Sequence, residues 1–208
     1  MRPTFRLPIA VVLATLVLAV ASGGCVERST GPAPARVAEL SPKLNPFVYF
    51  EDGAAVFIGV DGRAAQYIKS ESIFPLGLCL ANRTKRSLSF SRESFVLEDA
   101  SRRQVSPVSY EEFASGYARA ETDVRLSDTF LEMMQVRFGS FRFASWPLYP
   151  AKGVIATARD RVELGADQYT AFYLYFPLPV GGIHGKSFTL LVRAKEAPET
   201  FVVKFGLR

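Results

Sequence analysis

The sequence predicts a mainly β protein: a single antiparallel β-sandwich with one or two short helices inserted in the middle of the chain. Three observations carry this prediction. About nine short runs in the body of the chain alternate apolar and polar residues, which is the period of a half-buried strand. Asp-Gly pairs, prolines and polar turn sequences separate the runs. Only the stretch from residue 109 to residue 138 has apolar residues at helical spacing.

The first half of the body predicts a series of paired strands. The stretch "FVYFEDGAAVFIGVDGRAAQYI" holds three apolar runs joined by Asp-Gly pairs at residues 52–53 and 61–62, and each pair predicts a hairpin. Two further runs in "FPLGLCLANRTKRSLSF" flank a polar turn at residues 82–84, and "SFVLEDASRRQVSPV" repeats the pattern. We expect Cys79 to fill the core on the strand face opposite Leu76, Leu78 and Leu80.

The middle of the chain predicts helix. Ser109 and Glu112 form an S-x-x-E capping box, and apolar residues follow at helical spacing: Tyr110, Phe113, Ala114 and Tyr117. Thr129 and Glu132 form a second capping box, which predicts a second short helix. Part of this second region also alternates as a strand would, so the sequence leaves residues 122–138 open between helix and strand.

The C-terminal part of the body predicts three more strands, in "YTAFYLYFPL", "KSFTLLVRA" and "TFVVKFGLR", separated by proline and glycine. Earlier in the body, "LGLCLANRTKRSLSF" followed by "FVLEDASRR" resembles the immunoglobulin-like sandwich modules of many bacterial lipoproteins. The resemblance implies an immunoglobulin-like sandwich and no particular activity, because such folds host many unrelated functions.

The N-terminus predicts an export signal. Arg2 and Arg6 precede an apolar block at residues 7–20, and small residues fill positions 21–24. This order of charge, apolar core and small residues is typical of a secretory signal peptide, which we assign to residues 1–24. The apolar block is shorter than the roughly 20 residues that a membrane-spanning helix needs.

The residues that lead into Cys25 resemble the lipobox of bacterial lipoproteins. The resemblance implies cleavage between Gly24 and Cys25, and lipid on the Cys25 sulfur and on the new amino group. Ser22 stands where that pattern usually has Leu, so cleavage without lipid stays an alternative. Val26 stands where an Asp would retain the protein in the inner membrane, which favours the periplasmic face of the outer membrane.

Residues 25–46 predict a lipid-anchored flexible linker, because they contain four prolines and few large apolar side chains. Residues 47–208 then form one β-sandwich domain, which fits the usual domain size. The formal net charge of the whole chain is only +5, which does not indicate a nucleic-acid partner.

Few residues in the sequence can perform chemistry. His184 is the only histidine, and it lies in the Gly-rich stretch "PVGGIHGKS", which predicts an exposed turn and not a positioned base. One histidine and one unmodified cysteine cannot complete a tetrahedral zinc site, so we expect no metal and no cofactor. The acidic pairs Glu98-Asp99 and Glu111-Glu112 predict solvated surface.

One stretch, "VRFGSFRFASWPLYPAK", concentrates aromatic residues and contains the only tryptophan. Aromatic and arginine side chains are enriched at binding hot spots, which makes this segment the candidate contact with a partner. The candidate partner-binding residues are Phe138, Phe141, Arg142, Phe143, Trp146 and Tyr149. The alternative interpretation is that these rings cap the open end of the sandwich core.

Together these observations favour a non-enzymatic, lipid-anchored protein of the bacterial cell envelope that acts as a binding module for another envelope protein. A carrier of an apolar ligand is the alternative, and it would require the aromatic segment to border a cavity. A carboxylate-based hydrolase is the least favoured hypothesis, and it would require two carboxylates to converge in a cleft.

Overall fold

The computed structural model of the chain describes residues 46–145, 147–150 and 158–207. These residues form eleven strands, three α-helices and two 3₁₀ turns. The strands are β1 (Val48–Asp52), β2 (Val56–Asp61), β3 (Ile73–Asn82), β4 (Leu88–Ser91), β5 (Phe95–Asp99), β6 (Gln104–Val105), β7 (Arg142–Phe143), β8 (Arg161–Leu164), β9 (Gln168–Pro177), β10 (Lys186–Arg193) and β11 (Thr200–Leu207). The helices are α1 (Tyr110–Gly116), α2 (Ala120–Leu126) and α3 (Asp128–Arg137), and the 3₁₀ turns are Ala64–Tyr67 and Arg92–Ser94.

The strands form two main sheets and one small one. The first has the order β1-β2-β3-β9-β7, and the second has the order β11-β10-β5-β6. Strands β4 and β8 form the small third sheet. The pairs are antiparallel except for β7, which runs parallel to β9 at the edge of the first sheet. The predicted fold class is confirmed: the described chain is mainly β, and its sheets form a sandwich.

The core of the sandwich lies between the two main sheets. Ring centroids of Phe74 and Phe188 lie 6.1 Å apart, and those of Phe95 and Phe172 lie 6.0 Å apart, so each pair joins one sheet to the other. Alternate residues of each strand point into this core, as the period of two requires. They include Ile58, Leu76, Leu78, Leu80, Leu97, Leu174, Leu190 and Val203, all buried.

The opposite face of the first sheet is covered by the helices. Phe130, Met134 and Phe138 pack with Phe57, Cys79 and Tyr169 in a second apolar cluster. Cys79 is buried and unoxidised, as the sequence predicts, on the face opposite the leucines. Burial raises the pKa of its thiol, so Cys79 is an apolar filler of this second cluster.

The first predicted helix is confirmed, since α1 begins at Tyr110 and the Ser109 hydroxyl accepts a hydrogen bond from the Glu112 backbone N–H at 3.1 Å. Residues 122–138, left open between helix and strand, are mainly helical. The second capping box is wrong. Helix α3 begins at Asp128, before Thr129, and its first turn has no side-chain cap because the Ser127 hydroxyl is engaged elsewhere.

The two predicted Asp-Gly hairpins have different outcomes. The pair at residues 52–53 does join β1 to β2. The pair at residues 61–62 does not form a tight turn, because the chain continues into the 3₁₀ turn at Ala64–Tyr67 and reaches β3 only at Ile73. The third apolar run, where the sequence predicts a strand, forms this 3₁₀ turn instead, and its Ala64 and Ala65 are buried. Strand β8 is a further element that the sequence did not reveal.

Three predictions concern residues outside the described part of the chain: the signal peptide, cleavage at Gly24 with lipid on Cys25, and the linker. Within the described part, the helices are too short and too polar to cross a bilayer.

Candidate binding cleft

A cleft of about 230 Å³ lies between the helical layer and residues 145 and 147–150. Helices α2 and α3 form one wall of the cleft, and the aromatic segment forms the other. Strands β3 and β9 of the first sheet form its floor. The aromatic segment therefore borders a cavity, which is the feature that distinguishes the carrier hypothesis from a closed core.

Two small residues of the first sheet leave the space that the cleft occupies. Gly77 of β3 and Ala171 of β9 both line it. A Cβ atom on Gly77 would lie 3.3 Å from the backbone oxygen of Asp61 and 3.4 Å from the Ser127 hydroxyl. The helical layer thus approaches the sheet so closely at Gly77 that a side chain there would be crowded. At Ala171 a larger side chain would extend into the cleft.

Aromatic rings form the deep part of the cleft. Tyr149, Tyr173 and Tyr175 line it together with Phe130 of α3. The ring centroids of Tyr149 and Tyr175 lie 5.3 Å apart, and those of Tyr173 and Tyr175 lie 6.0 Å apart. The Tyr149 hydroxyl donates to the Val108 carbonyl, which holds the aromatic segment against the chain before α1. Among the described residues, no charged side chain lines the cleft.

The predicted partner-binding residues do not form one surface. Phe138 and Tyr149 are buried. Phe138 packs on Phe57 with a centroid distance of 4.9 Å, whereas Tyr149 forms a wall of the cleft. Phe141 packs beside Phe138 at 5.2 Å and is partly buried.

Arg142 and Phe143 are the exposed members of this set, on the edge strand β7. The Phe143 side chain is 56% exposed, and its ring lies 5.2 Å from that of Tyr169. Trp146 lies outside the described residues. A protein partner that contacts this segment would therefore meet Arg142 and Phe143, and it would not meet Phe138.

Beneath the cleft lies a chain of buried polar groups. The Ser127 hydroxyl lies 3.2 Å from Asp61 Oδ2 and also contacts the Tyr173 hydroxyl. The Tyr173 hydroxyl donates to the backbone carbonyl of Asp123. Ser127 and Tyr173 both line the cleft, so this polar chain connects the cleft to the buried Asp61 carboxyl at one end and to the Asp123 backbone carbonyl at the other.

The carboxyl of Asp123 is fully buried, and a hydroxyl and a guanidinium lie next to it. The Tyr117 hydroxyl donates to its Oδ2 at 2.7 Å, and Arg119 Nη2 lies 3.9 Å from its Oδ1. Arg119 also pairs with Glu71 at 3.2 Å. Burial is the largest influence on Asp123 and raises its pKa to about 6, against the opposing effects of Tyr117 and Arg119.

Sequence reasoning missed this polar group entirely. Asp61 ends the otherwise apolar run "VFIGVD", and we interpreted it as a turn residue. Asp123 lies four residues after Arg119 on α2, which resembles an ordinary surface ion pair. An acid at the end of a fully buried strand was the one available signal, because buried carboxyls are rare without a partner.

The other candidates for chemistry lie apart from the cleft. His184 is exposed in the turn between β9 and β10. Glu98 accepts a hydrogen bond from Gln104 at 2.9 Å, and Glu111 and Glu112 occupy the exposed first turn of α1. Within the described ranges, no cluster of three or more His, Cys, Asp or Glu residues is arranged to hold a metal ion.

Comparison with known proteins yields only distant likeness. No protein-family profile matches this chain, and no curated protein matches it. Two solved structures from Bacillus subtilis are similar, each with a TM-score of 0.40. For ycdA, a candidate lipoprotein, the identity is 13%, and the match covers 76% of this chain and 38% of ycdA. For the yjhA protein, the identity is 14%, and the match covers 76% of this chain and 96% of yjhA.

This chain spans less than half the length of ycdA. A likeness of this strength assigns no function to it. What the fold and the cleft define is a class by shape: a β-sandwich with a helical layer on one sheet and an aromatic cleft between that layer and an edge segment.

Proposed function

We propose that this chain is a non-enzymatic, lipid-anchored protein of the cell envelope that binds an apolar group in the aromatic cleft. The observation that carries the proposal is the cleft itself. It borders the segment in which the sequence concentrates its aromatic residues, and its described lining is mostly aromatic and aliphatic, with two serines and no charged side chain. Concave apolar sites with few polar groups are the usual form of small-ligand sites.

The size of the cleft limits its occupant. Pockets for drug-sized ligands start at about 300 Å³, whereas this cleft has about 230 Å³. The cleft therefore accommodates a small aromatic ligand or a short alkyl group. A long lipid chain would extend beyond it.

A probe titration tests the cleft as the binding site. The neutral fluorescent amine N-phenyl-1-naphthylamine is titrated into the mature chain carrying Cys25→Ser, so that no lipid or detergent competes for the probe. Ala171→Leu places a larger side chain in the cleft and is expected to weaken binding about tenfold or more. Thr189→Leu, half-buried on β10 away from the cleft, is the matched control. Equal binding by the three proteins would remove the cleft from the proposal.

The proposed anchor is tested separately. The signal-like residues 1–24 and the lipobox resemblance around Cys25 support lipid attachment, and Val26 supports the outer membrane. Membranes of cells that express the wild-type chain or Cys25→Ser are separated by density. We expect the wild-type chain in the outer-membrane fraction and the variant in the soluble fraction. Retention of Cys25→Ser in the membrane would contradict the anchor.

A protein partner at the sheet edge is a second candidate function, and the exposure of Phe143 on β7 favours it. Arg142 beside it adds a cation of the kind found at binding hot spots. Cross-linking in intact cells is expected to capture a partner with the wild-type chain and to lose it with Phe143→Ala. Val136→Ala is the control, since Val136 on α3 is also exposed, at 86%. Equal capture by both variants would reject Phe143 as the contact.

The carboxylate-based hydrolase gains no support from the geometry. Asp61 and Asp123 do lie near the cleft, but neither lines it, and each carboxyl accepts a hydrogen bond from a neighbouring group, the Arg63 backbone N–H and the Tyr117 hydroxyl. We therefore do not propose an enzymatic role.

A further inference from the structure

We propose that the cleft selects uncharged ligands. A protonated Asp61 begins a chain of hydrogen bonds that uses the hydroxyl protons of Ser127 and Tyr173, so these groups offer none to a ligand. The inference rests on the proposed function and adds to it a ligand class and a dependence on pH. The chain runs from Asp61, at the end of β2, through Ser127, between α2 and α3. It continues to Tyr173 of β9 and ends at the Asp123 carbonyl.

A count of protons along this chain assigns one to Asp61. Three contacts join four oxygen atoms: Asp61 Oδ2 to Ser127 Oγ at 3.2 Å, Ser127 Oγ to the Tyr173 hydroxyl, and the Tyr173 hydroxyl to the Asp123 carbonyl. Ser127 and Tyr173 each supply one hydroxyl proton, and the carbonyl supplies none. Three hydrogen bonds need a third proton, and Asp61 is the group that can supply it.

The surroundings of Asp61 favour its neutral form. The side chain is only 1% exposed, and burial raises the pKa of its carboxyl. The Arg63 backbone N–H donates to Oδ1 at 2.9 Å, and this bond, the Arg63 charge and the Ser127 contact act in the opposite direction. The Arg63 guanidinium donates to the Leu126 carbonyl at 3.0 Å.

Other charged groups face the same buried region from neighbouring elements. Asp123 lies on α2, Arg119 immediately precedes α2, and Glu71 lies before β3. Arg119 pairs with both acids, and the Tyr117 hydroxyl also donates to Asp123. Arg119 is therefore shared between two carboxyls and is not available to neutralise Asp61.

Loss of the Asp61 proton breaks the chain at the cleft floor. The Ser127 hydroxyl then has to donate to the carboxylate. The single Tyr173 proton is left to serve two contacts, to Ser127 and to the Asp123 carbonyl, so one of them has no proton. The two oxygens of that contact repel one another, and the Ser127 or the Tyr173 side chain has to move. Both line the cleft, and Ser127 also joins α2 to α3, so the shape of the cleft changes. Affinity for a ligand therefore falls as the pH rises.

The same chain determines which ligands fit. With Asp61 protonated, the Ser127 and Tyr173 hydroxyls each donate to a neighbour within the chain and offer no proton to a ligand. The rest of the described lining holds no charged side chain. A charged group in the cleft would lose hydration without gaining an oppositely charged partner among the described lining residues, which is costly. The cleft therefore takes aromatic or aliphatic groups without charge.

Two probes with one skeleton test the ligand class. N-phenyl-1-naphthylamine is neutral, and 1-anilinonaphthalene-8-sulfonate is the same amine with a sulfonate added. We expect the sulfonate to bind the mature chain at least about tenfold more weakly. Equal affinity that Ala171→Leu weakens for both probes would overturn the selectivity and leave the cleft as the site. Binding of neither probe, or no effect of Ala171→Leu, would instead reject the proposed function.

Asp61→Asn tests the proton. The asparagine amide donates to Ser127 at every pH, and its oxygen can still accept from Arg63. Between about pH 4 and about pH 9, affinity of the wild-type chain for the neutral probe is expected to fall about fivefold or more, while Asp61→Asn loses that part of the dependence. Parallel profiles for the two proteins would overturn the role of Asp61.

The wild-type carboxyl itself gives a second readout that needs no variant to fold. The carbon signal of the Asp61 carboxyl, followed by NMR against pH, is expected to titrate above the ordinary aspartate range of about 4. Titration within the ordinary range would overturn the inference, even if the cleft binds the neutral probe.

Discussion

The Tyr117 hydroxyl donates a hydrogen bond of 2.7 Å to the Asp123 carboxyl and so ties the end of α1 to α2. Tyr117→Phe keeps the ring and removes the hydroxyl, which leaves a buried carboxyl oxygen without its donor. We expect a loss of about 1 to 3 kcal/mol in the free energy of unfolding at neutral pH. Urea denaturation measures it. Tyr110→Phe, on an exposed ring of α1, is the control, and equal small effects of both changes would contradict the prediction.

The buried carboxyl of Asp123 is expected to make the free energy of unfolding depend on pH. Burial raises its pKa to about 6 in the folded protein, above its ordinary value of 3.8, so the folded state holds the proton more tightly than the unfolded state. This contribution is fully present below about pH 4 and is lost as the pH rises through about 6, a change of at most about 3 kcal/mol. Unfolding of Asp123→Asn between these limits is expected to lack this decline. A decline identical to that of the wild-type chain would contradict it.

Asn82 is the most heavily hydrogen-bonded side chain of the sandwich end. Its amide nitrogen lies 2.7, 2.9 and 3.0 Å from the Arg86, Leu164 and Gly165 carbonyl oxygens, so two protons are shared among three acceptors, and its oxygen accepts from the Thr84 backbone N–H. It therefore joins two turns that are far apart in sequence.

Asn82→Ala removes the side-chain donor of the Gly165 carbonyl and leaves the Leu164 and Arg86 carbonyls with only a hydroxyl each. We expect a loss of about 2 kcal/mol or more. Thr84→Val removes one hydroxyl at the exposed side of the same turn and is the control. Thermal unfolding measures both. A loss for Asn82→Ala no larger than that for Thr84→Val would show that the amide does not hold the two turns.

Arg137 contributes both an ion pair and a contact with an aromatic ring, and two variants can separate their contributions to stability. It pairs with Asp52 at 2.6 Å, and its guanidinium lies 4.7 Å from the Phe57 ring centroid. Asp52 is half-exposed, so Asp52→Ala is expected to cost at most about 1 kcal/mol. Arg137→Ala also uncovers Phe57 and is expected to cost about 2 kcal/mol. Denaturation of both variants measures the difference, and equal costs would mean that the ring contact contributes nothing.

The strands were predictable where their apolar residues alternate. Leu76, Leu78 and Leu80 face the core as the period of two requires, and Ser109 caps α1 as its spacing from Glu112 requires. Sequence spacing could not reveal that Ser127 would be drawn into a buried polar chain, because its partner Asp61 lies 66 residues away. The second capping box failed because α3 begins at Asp128, which places Thr129 inside the helix.

The site was only partly predictable. The aromatic segment does border the cleft, through Tyr149, and this follows from its composition. The opposite wall is not visible in the sequence, since it depends on α3 packing above Gly77 and Ala171, whose small side chains carry no local signal. Two rings of one segment, Phe138 and Phe143, have opposite exposures because β7 lies at the edge of the sheet and α3 lies over its face.

Chemical-shift mapping tests the central claim most directly. Indole, a neutral probe of a size that the cleft accommodates, is titrated into the ¹⁵N-labelled mature chain carrying Cys25→Ser. The account predicts that the largest amide shifts occur around the cleft, at Gly77, Ser127 and Ala171, and that they disappear in Ala171→Leu. Shifts that are largest around Arg142 and Phe143, or that are absent, would contradict binding in the cleft.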